Sequence, residues 1–159
     1  MFLYDITDAL QKEKIPFCIV GGYAMALHGM VRATMDVDLV LSLKLEIFEK
    51  AESCFKSLGL TSRIPVRAQD IIKMRKEYIQ NRNLVAWSFV DFKNPSRQLD
   101  ILITKDIKDL KWQTIPLAGR KIPVVGLESL LKMKLESGRP QDLLDIENIR
   151  IKLSGAQKK

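Results

Sequence analysis

Apolar residues follow two different periods along this chain. Residues 2–13 carry apolar side chains three and four positions apart, the spacing of an amphipathic helix. Residues 17–20 form an unbroken apolar run between Pro16 and the pair Gly21-Gly22. A short apolar run bounded by turn-forming residues predicts a buried strand. The chain therefore opens with a helix and a buried strand that ends at two glycines.

Apolar periodicity and turn-forming residues likewise predict the remaining helices and strands. Helices are predicted over 23–27, 45–58, 68–82, 127–137 and 141–153, and strands over 36–41, 84–92, 98–104, 112–117 and 121–125. No repeat, linker or low-complexity segment interrupts them. We expect one α+β domain over 1–159, with a small mixed β-sheet, flanking helices and a frayed tail over 155–159.

Composition narrows the class of protein. A hydrophobic fraction of 47% with 28% charged residues is typical of globular proteins and excludes a disordered chain. The 26 Lys and Arg residues outnumber the 19 Asp and Glu residues, which gives a formal charge of +7. This excess favours an anionic partner such as a nucleotide or a nucleic acid without specifying which.

The expected compartment follows from segments that the sequence does not contain. No run approaches the roughly 20 apolar residues of a membrane span, and Asp5 and Asp8 interrupt the apolar start that a signal peptide needs. Cys18 and Cys54 lie in apolar patterns without the spacing of metal ligands, as expected of core residues in a reducing compartment. We therefore expect a cytoplasmic protein.

Candidate chemistry concentrates in residues 21–38. Asp36 and Asp38 lie two positions apart on a predicted strand, so both carboxylates point to one face, about 7 Å apart. Two carboxylates on a partly buried face repel unless a cation lies between them, and Mg²⁺ prefers such oxygen ligands. Gly21 and Gly22, at the start of a predicted helix, would let backbone N–H groups approach a phosphate. A single histidine, His28, makes a Ser-His-Asp triad improbable, which favours catalysis by carboxylates and metal.

Two later acids compete for the role of a third metal ligand. Asp91 lies beside an Asn-Pro turn, where we expect it to be exposed at the end of the sheet. Asp100 opens the apolar run Ile101-Leu102-Ile103 and would be the lone carboxylate of an interior strand, which requires a reason. The sequence therefore favours Asp100.

The arrangement of strand, glycine pair, helix and Asp-x-Asp resembles the DNA polymerase β-type nucleotidyltransferase superfamily. The gap of 13 residues between Gly22 and Asp36 lies within that superfamily's range. The stretch from Arg32 to Asp38, and Lys134 followed by Arg139 and Asp142, resemble the small single-domain members, which include toxins of toxin–antitoxin pairs. The resemblance implies a Mg²⁺-dependent enzyme that transfers a nucleoside monophosphate from ATP or another NTP to an acceptor.

The resemblance also implies a role for each candidate residue. Asp36, Asp38 and Asp100 would bind the metal and carry catalysis, with Asp100 as general base. The triphosphate would be bound by Gly21, Gly22, Arg32, Thr34, Lys134 and Arg139. Asp142 and Asp145 are equally well explained as acids that stabilise the first turn of the last helix.

The acceptor stays open at this level. Lys73, Arg75, Lys76 and Arg82 lie on the outer face of the predicted helix 68–82, which could bind RNA with a free 3′ end or be a solvated surface. Alternatives are an enzyme that modifies a small molecule such as an antibiotic, and an idle nucleotide- or RNA-binding module that pairs with an antitoxin.

Overall fold

The computed structural model describes residues 1–34 and 36–157, and among these the side chains of residues 1–155. The helices are α1 (Phe2–Lys12), α2 (Gly21–Leu27), α3 (Leu45–Ser57), α4 (Ala68–Lys73), α5 (Arg75–Arg82), α6 (Leu127–Ser137) and α7 (Pro140–Gln157). The strands are β1 (Phe17–Val20), β2 (Val37–Leu41), β3 (Thr61–Ser62), β4 (Ala86–Val90), β5 (Gln98–Leu102), β6 (Trp112–Leu117) and β7 (Arg120–Val125). A short 3₁₀ helix spans Ile107–Asp109.

The strands form one mixed sheet in the order β3-β4-β5-β2-β1-β7-β6. Strands β1 and β2 are antiparallel, whereas β2 pairs in parallel with β5, and β1 in parallel with β7. These parallel pairs place β2, β5 and β1 in the interior of the sheet, where every strand has a neighbour on both sides. The predicted α+β fold with a mixed sheet and flanking helices is confirmed.

Helix α3 covers one face of the sheet. Phe48 stacks on Trp87 with 6.0 Å between ring centroids, and Phe55 meets Phe89 edge to face at 5.3 Å. All four aromatic side chains are fully buried. Because successive strand residues alternate between faces, Ser88 of β4 points away from this core. The polar side chain of Ser88 thereby lies on the opposite face of β4.

Several element boundaries differ from the sequence-based prediction. The predicted helix 68–82 is two helices that meet at Met74, whose φ of −105° departs from helical geometry. Helix α7 continues to Gln157 and includes the segment expected to fray, while Lys158 and Lys159 lie outside the described residues. Strand β2 begins at Val37, one residue after Asp36, and the two-residue strand β3 was not predicted.

Both cysteines are core residues, as predicted. Cys18 and Cys54 are buried and unpaired by a disulfide. Burial raises the pKa of the Cys18 thiol to about 12, so it stays protonated and unreactive at neutral pH. Among the described helices, none combines the length and apolar character that a membrane crossing requires.

Candidate active site

The glycine pair at the start of α2 leaves room for two side chains from the following loop and strand. Gly21 has a φ of +68°, and a Cβ at this position would overlap the carboxylate of Asp38, with Cγ at 2.9 Å. A Cβ at Gly22 would lie 2.7 Å from Oγ1 of Thr34. The Thr34 hydroxyl donates in turn to the carbonyl oxygen of Asp36 at 3.3 Å. The pair is thus required for close packing as well as for a tight turn.

Strand register brings two of the predicted acids together. Asp38 on β2 is the direct partner of Asp100 on the parallel strand β5, so both carboxyl groups lie on the same face. Burial, followed by the charge and hydrogen bond of Asp100 and the charge of Asp36, raises the pKa of Asp38 to about 7, although Lys134 opposes this effect. The pKa of Asp36 is also raised, first by burial and then by Asp100. The three acids therefore form one electrostatic group.

Two neutral side chains orient Asp100. The Ser88 hydroxyl donates to Oδ1 at 2.6 Å, and Gln98 Nε2 donates to the same oxygen at 3.3 Å. Asp91, the competing acid, accepts instead from the amides of Lys93 and Asn94 in the turn beyond β4. The structure therefore places Asp100, and not Asp91, beside Asp38.

A cluster of ion pairs around the buried Lys134 lies close to Asp38. The Lys134 ammonium lies 3.3 Å from Asp142 Oδ1 and 3.0 Å from Asp145 Oδ2. Arg32 Nε lies 3.4 Å from Asp145, and Arg139 Nε lies 3.1 Å from Asp142. Three cations and two carboxylates leave this ion cluster with a charge of +1. Lys134 is close enough to Asp38 to lower its pKa.

The cluster adds a second role for two acids. Asp142 and Asp145 are almost completely buried and bind Lys134 across the α6–α7 junction, and Asp142 also accepts from the Arg139 amide at the start of α7, as expected of a helix-start acid. Burial alone would raise the pKa of Asp142. Hydrogen bonds from Arg139 and Ser137, with the charge of Lys134, outweigh burial and lower the pKa to about 2.

Sequence reasoning missed four residues at this site. Ser88 and Gln98 orient Asp100, as described above, and Tyr23 lies close enough to Asp36 for that charge to add to burial in raising its phenol pKa. Arg63, just after β3, lowers the pKa of Asp36 against the larger effects of burial and Asp100. The sequence carries a signal for Ser88 alone among these four. It lies between the apolar residues Trp87 and Phe89, and this alternation places it on the opposite face of the strand.

The donor set fits a hard divalent cation. In the parts of the chain that the structure describes, no three His, Cys, Asp or Glu side chains are gathered tightly enough to enclose a metal by themselves. Mg²⁺ seldom needs such a cage, because it keeps several waters and binds one or two carboxylates together with substrate phosphates. Asp38 and Asp100 supply two oxygen ligands, and the crowding of charge around them is what a cation would relieve.

Solved structures with the same architecture identify the fold. The antibiotic-resistance factor ANT(2″)-Ia, in complex with adenylyl-2″-tobramycin, superposes with a TM-score of 0.64 at 15% identity over 98% of this chain and 89% of its own. The lincosamide antibiotic adenylyltransferase LnuA, with lincomycin bound, gives 0.64 at 16% identity over 94% of both chains. The chain has a nucleotidyltransferase fold. A candidate nucleotidyltransferase from Thermotoga maritima is similar as well, with a TM-score of 0.60 at 19% identity over 96% of this chain and 91% of its own. No family model and no curated protein matches the sequence.

Replacement of Gly21 tests the close packing against Asp38 in this nucleotidyltransferase fold. Gly119 is a matched control, since its φ of +77° is similar and nothing lies within 4 Å of an added Cβ. We expect Gly119→Ala to lose about 1–2 kcal/mol from left-handed backbone strain. Gly21→Ala should lose about 1–3 kcal/mol more from overpacking, measured by urea unfolding.

The extra loss should depend on the Asp38 carboxylate. In an Asp38→Ala background, the cost of Gly21→Ala should fall towards that of Gly119→Ala, because the overlapping carboxylate is gone and only the Cβ of residue 38, at 3.0 Å, stays close. Equal costs of Gly21→Ala and Gly119→Ala in the wild-type background would show that Gly21 is not in close contact with Asp38.

The ion cluster predicts a specific acid sensitivity. The folded-state pKa of Asp142 is about 2, below the ordinary value of 3.8, so its contribution to stability is complete above pH 4 and lost as pH falls through about 2. That contribution is about 2 kcal/mol. Asp142→Asn should therefore unfold more easily than wild type at pH 5, with the difference shrinking towards pH 2. Exposed Asp109 is the control, and an Asp142→Asn difference that does not vary with pH would refute the assignment.

Proposed function

We propose that this protein is a Mg²⁺-dependent nucleotidyltransferase that transfers a nucleoside monophosphate from an NTP to an acceptor hydroxyl and releases pyrophosphate. The observation that carries the proposal is the direct opposition of Asp38 and Asp100 across β2 and β5, in a sheet with the nucleotidyltransferase fold. The two carboxylates lie on a partly exposed face with Asp36 nearby, and their mutual repulsion favours a bound cation.

The ion cluster supplies the side of the site that favours a triphosphate. Lys134 is held in place by Asp142 and Asp145, so it loses little side-chain entropy when it meets an anion. Arg32 Nε is buried and makes no hydrogen bond in the described residues, although it is ion-paired with Asp145. A phosphate oxygen would satisfy such a donor. We therefore assign the triphosphate to the side of Asp38 that faces Lys134 and Arg32.

The glycine pair and Arg139 have weaker support as phosphate ligands. Gly21 and Gly22 are already explained by their close contacts with Asp38 and Thr34. Arg139 donates from Nε and Nη2 to Asp142, and its side chain is 56% exposed. In this proposal Arg139 is a positioning residue, since it helps hold the carboxylate that binds Lys134.

The reaction requires one proton transfer and one displacement at phosphorus. Asp100 is oriented by Ser88 and Gln98, and accepts the proton of the acceptor hydroxyl. The acceptor oxygen forms a bond to the α-phosphorus, while the bond from that phosphorus to the bridging oxygen of pyrophosphate breaks. Lys134 and Arg32 stabilise the charge that develops on the leaving pyrophosphate. Asp38 and Asp100, with the charge of Asp36 nearby, would hold Mg²⁺, which would polarise the phosphate oxygens.

The similar structures and the basic surface point to different acceptors. ANT(2″)-Ia and LnuA have antibiotics in their structures, which favours a small-molecule hydroxyl. The alternative acceptor is an RNA 3′ end, which was expected to bind to the outer face of residues 68–82. With that acceptor the protein would be a toxin whose partner is an antitoxin. Arg75 counts against that face, because its Nε donates to the carbonyl oxygen of Ile103 at 2.5 Å and anchors α5 to the chain beyond β5.

Asp38→Asn tests the metal-dependent step. Transfer of label from an α-³²P NTP in the presence of Mg²⁺ should fall at least 100-fold, since a metal ligand is lost. Without metal the variant should melt at the same temperature as wild type or higher, because one charge leaves a crowded group. Asp109→Asn should change neither measurement. A variant that keeps wild-type transfer, or that unfolds, would show that Asp38 is not a metal ligand.

Asp100 and Asp91 provide a comparison between a proposed catalytic acid and a structural one. Asp100→Ala should lower turnover by roughly two orders of magnitude, which is the usual effect of removing a general base. Asp91→Ala removes turn hydrogen bonds beyond β4 and an ion pair with Arg97, and should leave turnover within about twofold. The opposite ranking, measured by single-turnover kinetics, would overturn the assignment of the base.

A further inference from the structure

A row of polar side chains extends across the sheet beyond the proposed catalytic acids. Asp38 is the register partner of Asp100, Asp100 is the partner of Ser88, and the Arg63 amide donates to the Ser88 carbonyl oxygen at 2.9 Å. The row therefore crosses β2, β5 and β4 and ends at Arg63, the residue that follows β3 in the chain. We call the five residues of this face the β4–β5 shelf: Asp38, Asp100, Ser88, Arg63 and Gln98.

Arg63 points to the same side as the rest of the row. Its neighbour Ser62 accepts a hydrogen bond from the buried indole of Trp87, so Ser62 faces the α3 side of the sheet. Alternation places Arg63 on the opposite side. The effect of its charge on Asp36 agrees with this placement. The Arg63 side chain thus lies on the same face of the sheet as the acids, at the end of the row beside Ser88.

The shelf is accessible to a ligand. Ser88, Gln98 and Asp100 are all partly exposed, and Arg63 is exposed. Arg63 forms no ion pair with a residue in the described parts of the chain, in contrast to Arg67, whose Nε lies 3.1 Å from Glu52. Its five donors are consequently available to a ligand that lies across the shelf.

From this placement we infer that the acceptor lies on the β4–β5 shelf and carries a phosphate group that Arg63 binds, with its reacting hydroxyl at Asp100. This inference deepens the proposed function. The triphosphate is assigned to the Lys134 side of Asp38, which leaves the Ser88 side for the acceptor. Arginine is suited to bidentate contact with a phosphate, and a positive charge at this point disfavours a cationic acceptor. Arg63 is thereby the residue that selects the acceptor class.

Ribose 5-phosphate and ribose test the inference as a matched pair, because they differ only in the phosphate. Bulk tRNA tests a polymeric source of the same group, and tobramycin is a cationic probe without phosphate. Transfer from an α-³²P NTP is measured to each. The wild type should label ribose 5-phosphate or tRNA at least tenfold more efficiently than ribose or tobramycin. Which of the two phosphate-bearing probes is labelled identifies the source of the phosphate.

Arg63→Gln should raise the KM for the phosphate-bearing acceptor at least tenfold with a smaller change in kcat. Lys12→Gln on α1 removes the same charge far from the shelf and should have no effect. For tRNA, the slope of log Kd against log salt should fall by about one in Arg63→Gln. It should stay constant in Lys73→Gln/Lys76→Gln, which alters the alternative basic face. Arg63→Lys should restore charge but only part of the affinity, since it lacks the bidentate fork.

NTP binding, measured by calorimetry with a non-hydrolysable analogue and Mg²⁺, separates the two levels of proposal. Arg63→Gln should bind the analogue as the wild type does. Three outcomes would overturn the acceptor inference alone. The wild type could prefer ribose or tobramycin, Arg63→Gln could leave the KM unchanged, or a wild type that binds NTP could label neither phosphate-bearing probe. Failure of the wild type to bind NTP would instead overturn the proposed function.

Discussion

The repulsion between Asp38 and Asp100 is the constraint on which the rest of this structure depends. Parallel pairing of β2 with β5 opposes the two carboxyl groups directly, and burial makes their charges costly. The surrounding residues accommodate that cost without removing it. Gly21 makes room for the Asp38 carboxylate, Ser88 and Gln98 donate hydrogen bonds to Asp100, and Lys134 supplies a positive charge nearby. The group is thereby kept in a state that a cation stabilises.

The ion cluster explains why α6 and α7 are packed together at a polar contact. Lys134 is buried, and a buried ammonium is stable only with partners, which Asp142 and Asp145 provide from the next helix. Replacement of a buried ion pair by apolar residues of similar volume is often neutral or stabilising. Folding alone therefore does not explain these charges, and one of them, Lys134, lowers the pKa of Asp38.

The sequence predicts the framework of the site well because local pattern determines it. The lone acid in an apolar run identifies Asp100 as a strand residue, which pairs with Asp38. The shared strand face predicted for Asp36 and Asp38 stays a prediction, since β2 begins at Val37. The helix break at Met74 has no local signal, since no Pro or Gly occurs between Ala68 and Arg82. The roles of Asp142, Asp145 and Ser88 depend on contacts between distant segments, which periodicity does not encode. Asp142, for example, is a helix-start acid by its position in the sequence, and only the placement of α6 shows that it also binds Lys134.

The distribution of charge gives the proposed active site a direction. Cations flank the three acids on two sides, with Lys134 and Arg32 towards α6 and α7, and Arg63 beyond β4. The first two are held by buried carboxylates, which suits a ligand of fixed structure such as a triphosphate. Arg63 is exposed at the end of a two-residue strand, where its side chain keeps more freedom. The nucleotide would thus meet a rigid cationic side, and the acceptor a less constrained one. The same three acids would then serve one nucleotide donor, while the choice of acceptor would depend on Arg63 and the residues around it.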